Sequence, residues 1–460
     1  DVTVDTIAGA GTLRLDIVGG HNLADTVGNV ISGGYTSGTA HIVDAAAPVI
    51  SSIAIADSAM KVGSVVTVTI TVPSDTDDYT TGSGGISGTI GGFSLGSLSR
   101  TNATTYTATF TVADGGTDVA AGSLIPVNFT LSDSSGNTSS AFTTAISQAA
   151  DAIDANTPTI SAVSIPNSAM KVGDAVSVSI TASEAGLSLV SGTVNGISVT
   201  GFTDNGGGSY TATYTVAEGN TDRAAGVAIP VSFVLADSAG NNSTAFTSAI
   251  SQAADAIDAN TPTISAVSIP NSAMKVGDAV TVSISANEAG LSLVSGTVNG
   301  VSVTGFTDNG GGSYSATYTI VEGNTDRAAG ASIPVSFVLA DSAGNNSSSF
   351  TTAIAQVADA IDANTATISA VSIPNSTMKV GDAVTVSISA SEAGLSLVSG
   401  VVNGVSVTGF TDNGGGSYSA TYTVVEGNTD RAAGASIPVS FVLADSAGNN
   451  STAFTTAISQ

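Results

Sequence analysis

Cysteine and tryptophan are absent from this 460-residue chain, histidine occurs twice, and nine lysines and arginines stand against 36 acids. Without cysteine there can be neither a disulfide framework nor a Cys-based metal site. No apolar run reaches the length of a membrane span, and Asp1-Val-Thr-Val-Asp5 lacks the basic and apolar regions of a signal peptide. The chain is therefore expected to be a piece of a longer or processed protein. A formal charge of -27 repels nucleic acid and anionic membranes, so neither is expected as a partner; cations are.

What is abundant is Gly, Ser, Thr, Ala and Val, a mixture that suits strands and turns. Met-Lys-Val-Gly recurs at Met60, Met170, Met274 and Met378, with nearly constant flanks in the last three copies. Four tandem units follow, at 45–150, 151–254, 255–358 and 359–460. The first is divergent, with an insertion around 75–86 that brings Asp75, Asp77 and Asp78 in place of the later Ser-Glu-Ala-Gly. Residues 1–44 do not fit the repeat, hold both histidines (His21 and His41), and read as the last strands of a preceding unit or as strands for donation to a neighbour.

Within a repeat the apolar residues alternate. Val176, Val178 and Ile180 face one way, and Ser177, Ser179 and Thr181 the other; Tyr210, Ala212, Tyr214 and Val216 repeat the pattern. Asn195-Gly196, the Gly-rich run after Asp204, and Ala239-Gly240-Asn241 are turn signals. About seven strands per repeat are expected in repeat two, near 159–164, 175–182, 189–194, 197–202, 209–216, 229–236 and 244–250. That count over roughly a hundred residues predicts an all-β array of immunoglobulin-like sandwiches, lacking the Cys–Trp–Cys core.

Tracing one end-to-end crossing per strand collects acids at the poles. Glu184, Asp204, Asp237 and Asn241 fall at the leading end of repeat two, and Asp174, Glu218 and Asp222 at the trailing end. The linkers add Asp151 and Asp154, Asp255 and Asp258, and Asp359 and Asp362. Asp204 reads as a turn former and Asp222, beside Arg223, as half of a local ion pair. The remaining sets predict calcium ligands, because calcium accepts many oxygens in loose geometry. They are Asp151, Asp154, Glu184, Asp237 and Asn241; Asp255, Asp258, Glu288, Asp341 and Asn345; and Asp359, Asp362, Glu392, Asp445 and Asn449. Catalysis is not expected: residues 45–460 contain no His or Cys, and the serines lie on strand faces without a base beside them.

The Asp-Ser-Ala-Gly-Asn hairpin at 237–241, 341–345 and 445–449, the Asp-Ala-Asn-Thr-Pro linker at 154–158 and 258–262, and Ser209-Tyr-Thr-Ala-Thr-Tyr214 resemble bacterial immunoglobulin-like repeats of giant surface adhesins, the RTX type included. The resemblance covers 45–460. It implies an extracellular, cell-surface spacer with calcium at cadherin-like linkers, whose partners are its own neighbouring repeats. A self-assembling surface layer or filament, made of copies of the chain, would use the same module. Two departures stand out. Repeat one begins Asp44-Ala-Ala-Ala-Pro48, with no second linker aspartate, which puts a site there in question, and repeat four has Thr365-Ala366 in place of Thr-Pro.

Overall fold

The computed structural model describes residues 9–73 and 77–459, so Asp75 and the first five residues lie outside it. The described residues are all-β and form two compact units. One holds repeat one and the body of repeat two, through 175–215 and 226–253; the other holds 168–174, 216–225 and everything from 254 on.

Repeat three shows the plan. A four-stranded sheet runs in the order Ile264–Ser268, Ala279–Ala286, Ser313–Thr319, Thr304–Gly310, all antiparallel. A three-stranded sheet runs Val301–Ser302, Ser292–Val298, Val335–Ala340. The alternation read from the sequence sets the faces: Val280, Val282 and Ile284 are buried, as are Tyr314, Ala316 and Tyr318, while Thr281, Ser283 and Ser285 are exposed. Phe337 and Leu339 join them in the core from the other sheet. The same two sheets recur in repeats one, two and four.

Two expected strands come out differently. The one near 197–202 divides between the sheets, with Ile197–Ser198 pairing with Ser188–Val194 and Thr200–Gly206 pairing with Ser209–Thr215. Gly201, at φ +61°, sits where the register slips, a conformation in which a Cβ is strained. The strand near 244–250 is reduced to isolated bridges, Ile229 to Ile250, Phe233 to Phe246 and Ala236 to Asn242. Its hydroxyls take over ladder positions: the Leu235 N–H donates to Ser243 Oγ at 3.0 Å. The hairpin turn at Asn195-Gly196 is as expected, with both residues at positive φ, 52° and 81°.

The linkers are strands of the repeat before them. Ile153–Asp154 pairs in parallel with Met60–Lys61, and Ile361–Asp362 with Met274–Lys275. Ile153 and Ala155 lie in the core of repeat one, and Ile361 and Ala363 in that of repeat three. Residues 151–155 and 359–363 therefore pack with the preceding repeat, although the spacing assigned them to the following one. Ahead of repeat one, Gly11–Leu13 pairs antiparallel with His41–Val43.

Candidate cation sites at the repeat junctions

Alternation along the linker decides which acid faces where. Ile153 and Ala155 point into repeat one, so Asp154 between them points away from that core and toward the next repeat. There it meets the Asp237–Asn241 turn, in which Asp237 Oδ1 accepts the Asn241 N–H at 2.8 Å and Oδ2 accepts from Asn241 Nδ2 at 2.9 Å. The same Nδ2 donates to Asp154 Oδ1 at 3.1 Å. Burial pushes the Asp154 carboxyl above its usual range; the Asn156 N–H opposes that, and the charges of Asp237 and Asp118 push it further up. Glu184 is also raised, by burial first and then by Asp237, Asp154 and Asp118.

The pattern recurs twice. Asp258 and Glu288 are raised with Asp341 and Asp222 among the causes, and Asp362 and Glu392 with Asp445 and Asp326. Each junction thus gathers the second linker acid, the glutamate after the long central strand, the hairpin aspartate, and an aspartate of the preceding repeat.

Several expected ligands are placed elsewhere. Asp151 is fully buried and spends its two oxygens on backbone of repeat one, accepting the Gly122 N–H at 3.2 Å and the Gln148 N–H at 2.8 Å. Asp359 does the same with Gly330 and Gln356, and Asp255 is equally buried. Asp151 and Asp359 thus close loops, and none of the three buried aspartates is among the charges that raise the junction acids. Asn241, Asn345 and Asn449 do not offer oxygen either, since each amide oxygen accepts a backbone N–H, from Val62, Val172 and Val276 at 2.8, 2.9 and 2.9 Å. A backbone N–H fixes which end of the amide is oxygen, and the nitrogen is left to hold the carboxylates. Asp174 accepts the Lys171 N–H in its own turn, and Glu218 accepts the Thr261 N–H. Asp204 holds its turn through the Gly206 and Gly186 N–H groups, as expected of a turn former.

Asp222, expected to pair with Arg223, is instead seen holding the linker. Its oxygens accept from Ala259 N–H and Asn260 Nδ2, both at 2.8 Å, which ties repeat two to the linker and turns a charge toward Asp258. Sequence reasoning missed it, and its equivalents Asp118 and Asp326, because the neighbouring arginine offered a simpler account. It also missed the role of Met-Lys-Val-Gly. Lys61 Nζ donates to the Gly240 carbonyl at 2.7 Å, Lys171 to Gly344 at 2.8 Å, and Lys275 to Gly448 at 3.0 Å, so this loop grips the hairpin of the next repeat.

The site in question at the start of repeat one is the tightest. Carboxylate oxygens of Asp44, Asp77 and Asp133 all lie within 4.8 Å of one another, the one such trio among the described residues. Asp44 takes the place of Asp154, Asp77 of Glu184 and Asp133 of Asp237. At the last junction Asp445, 9% exposed, has its Oδ2 buried with no hydrogen-bond partner. A buried anionic oxygen beside further carboxylates is costly without a cation. The donors are hard oxygens on loops that tolerate adjustment, so they fit calcium better than a thiolate- or imidazole-seeking metal.

Residues 154–253 match the family model of the bacterial Ig-like domain. No curated protein matches the chain. Among solved structures, the Escherichia coli adhesin FdeC is 20% identical, with 66% of this chain and 96% of that chain covered and a TM-score of 0.23. The I9–I11 tandem of titin is 11% identical, covering 67% and 100%, with a TM-score of 0.23. The D1–D4 fragment of ICAM-5 is 11% identical, covering 88% and 98%, with a TM-score of 0.29. Scores this low add nothing to the functional reading. The sheet topology and the match to residues 154–253 make these repeats immunoglobulin-like β-sandwiches in tandem.

Proposed function

We propose that this chain is a non-catalytic spacer of a large, secreted bacterial surface adhesin, stiffened by calcium at its repeat junctions. The observation that carries this reading is the junction itself. The same four acids converge at Asp154, Asp258 and Asp362, each beside a lysine-and-asparagine grip that joins one repeat to the next. Uncompensated, such carboxylates push neighbouring repeats apart; a divalent ion bound among them reverses the sign of the force.

At about a hundredfold excess of ion over its dissociation constant, binding adds roughly 2.7 kcal/mol per site. Asp154, Glu184 and Asp237 would supply the oxygens at the first of the three junctions, with Asn241 positioning two of them. Near-identical copies suit a part whose useful property is its length.

Small-angle scattering with calcium, and again with chelator, tests the reading. Calcium is expected to stiffen a monomeric chain and chelation to loosen it. Scattering that ignores calcium would overturn the calcium part. Growth of mass into fibres or sheets would replace the spacer with a self-assembling subunit.

A further inference from the structure

The entering and leaving ends of a repeat are hydrogen-bonded to each other, and in parallel. In repeat three the chain comes in along Ile264–Ser268, passes to Met274–Lys275, and leaves along Ile361–Asp362, parallel to Met274–Lys275. These last two strands form a small sheet of their own, outside both walls of the sandwich. A pull along the chain draws Met274–Lys275 toward its N-terminal end and Ile361–Asp362 toward its C-terminal end. In a parallel pair those are opposite directions on one axis, so the strands must slide past each other and their bonds are loaded together. An antiparallel pair in the same place would be drawn apart from one end and lose its bonds singly.

The leaving strand is also held on both flanks. The Ala360 carbonyl accepts the Met274 N–H at 2.8 Å; on the other flank Ile361 exchanges both backbone bonds with Arg327, each at 2.8 Å, and the Ala363 carbonyl accepts the Gly323 N–H at 2.9 Å. Asp326 closes the arrangement, taking the Ala363 N–H on Oδ1 at 2.7 Å and Asn364 Nδ2 on Oδ2 at 2.8 Å. Ile361 and Ala363 are 2% and 0% exposed in the core, so sliding also drags apolar side chains through a close-packed interior.

Repeat one is built alike. Ile153–Asp154 lies parallel to Met60–Lys61, and the Ala152 carbonyl accepts the Met60 N–H at 2.8 Å. Val119 exchanges bonds with Ile153 at 2.9 and 2.8 Å, the Gly115 N–H donates to the Ala155 carbonyl at 2.8 Å, and Asp118 Oδ1 accepts from the Ala155 N–H and Asn156 Nδ2, both at 2.8 Å.

We propose that this parallel pair is a tension latch, and that bearing force along the chain is a function of the repeats, with Asp118, Asp222 and Asp326 as its catches. The latch is made of backbone, apolar side chains and one aspartate per repeat. It stands whether the chain is a spacer or an assembling subunit, and reading it in chelator separates it from the cation sites.

The chain has no cysteine, so a pair of introduced cysteines attaches handles at chosen points of the otherwise intact protein. Single-molecule pulling in chelator would compare two pairs at exposed positions. Thr263→Cys with Thr367→Cys loads repeat three along the chain. Ser272→Cys with Val357→Cys draws the N-terminal ends of the two latch strands apart, which peels the pair. The first geometry is expected to need about twice the force of the second or more, because forced unfolding follows the unfolding rate and the latch slows it only in shear. Asp326→Ala should bring the first force down toward the second. Equal forces in the two geometries, or a first force that Asp326→Ala leaves unchanged, would overturn the proposal.

Discussion

The backbone N–H of Val62 donates to the side-chain oxygen of Asn241 at 2.8 Å, across 179 residues of sequence. That bond belongs to the grip between repeats one and two, and it turns the amide nitrogen of Asn241 onto Asp154 and Asp237. One side chain therefore joins the two repeats and positions two carboxylates. Asn241→Ala should cost about 0.5–1.5 kcal/mol at the junction and speed amide exchange at Val62. Asn241→Asp keeps an acceptor for Val62 but replaces a donor with a charge. It should be tolerated better in calcium than in chelator, and equal tolerance in both would argue against a cation there.

Tyr210 is the post on which the glutamate loop rests. Its hydroxyl donates to the Glu184 carbonyl at 2.8 Å and accepts the Leu187 N–H at 3.0 Å, while its ring stacks on Phe202 at 5.2 Å. Tyr210→Phe keeps the packing and strands two backbone groups, which should destabilise repeat two by about 1–3 kcal/mol. Calcium affinity should fall with it, since Glu184 is no longer held. A denaturant titration and a calcium titration of the same variant check both effects.

Ala366 occupies the buried position that Pro158 and Pro262 fill at the earlier linkers. Because the fold already accepts proline at that place three times, at Pro48, Pro158 and Pro262, Ala366→Pro should stabilise repeat four by about 0.4–1 kcal/mol through the unfolded state. A lowered thermal midpoint would show that the last linker takes a different backbone course.

The raised junction acids give a pH dependence of definite sign. Asp154 and Glu184 bind protons more readily folded than unfolded, first because of burial and then because of their acidic neighbours. In chelator, the stability they contribute is present below their unfolded values, 3.8 and 4.5, and is lost as pH rises through the higher folded ones. The chelated chain should thus gain stability from Asp154 and Glu184 as pH falls through their raised folded values toward the unfolded ones. The triple variant Glu184→Gln, Glu288→Gln, Glu392→Gln should lose part of that gain. In calcium the dependence should weaken or reverse, because protons and the ion compete for the same oxygens.

The sandwich was legible because alternation such as Val176, Val178, Ile180 states its own period and the four copies state the count. The acids were legible as polar clusters, but not which linker aspartate serves them. Asp151 and Asp154 look equivalent until Ile153 and Ala155 are read as inward-facing, a signal that was present in the same five residues. The grip by Lys61 and Asn241 was not legible, because each half lies in a different repeat and each reads locally as an ordinary turn. For Asp44, the lack of a companion linker aspartate argued against a site, yet the missing acid is the counterpart of Asp151, replaced by His41, and Asp151 and Asp359 close loops and are not needed for one.

Calcium binding to the intact chain, followed by calorimetry beside the variant Asp237→Asn, Asp341→Asn, Asp445→Asn, tests the account most directly. Saturable binding that the three substitutions remove from the junctions, leaving the Asp44–Asp77–Asp133 trio as the residual site, is the expected result. Binding of unchanged stoichiometry in the variant, or none in the parent chain, would contradict it.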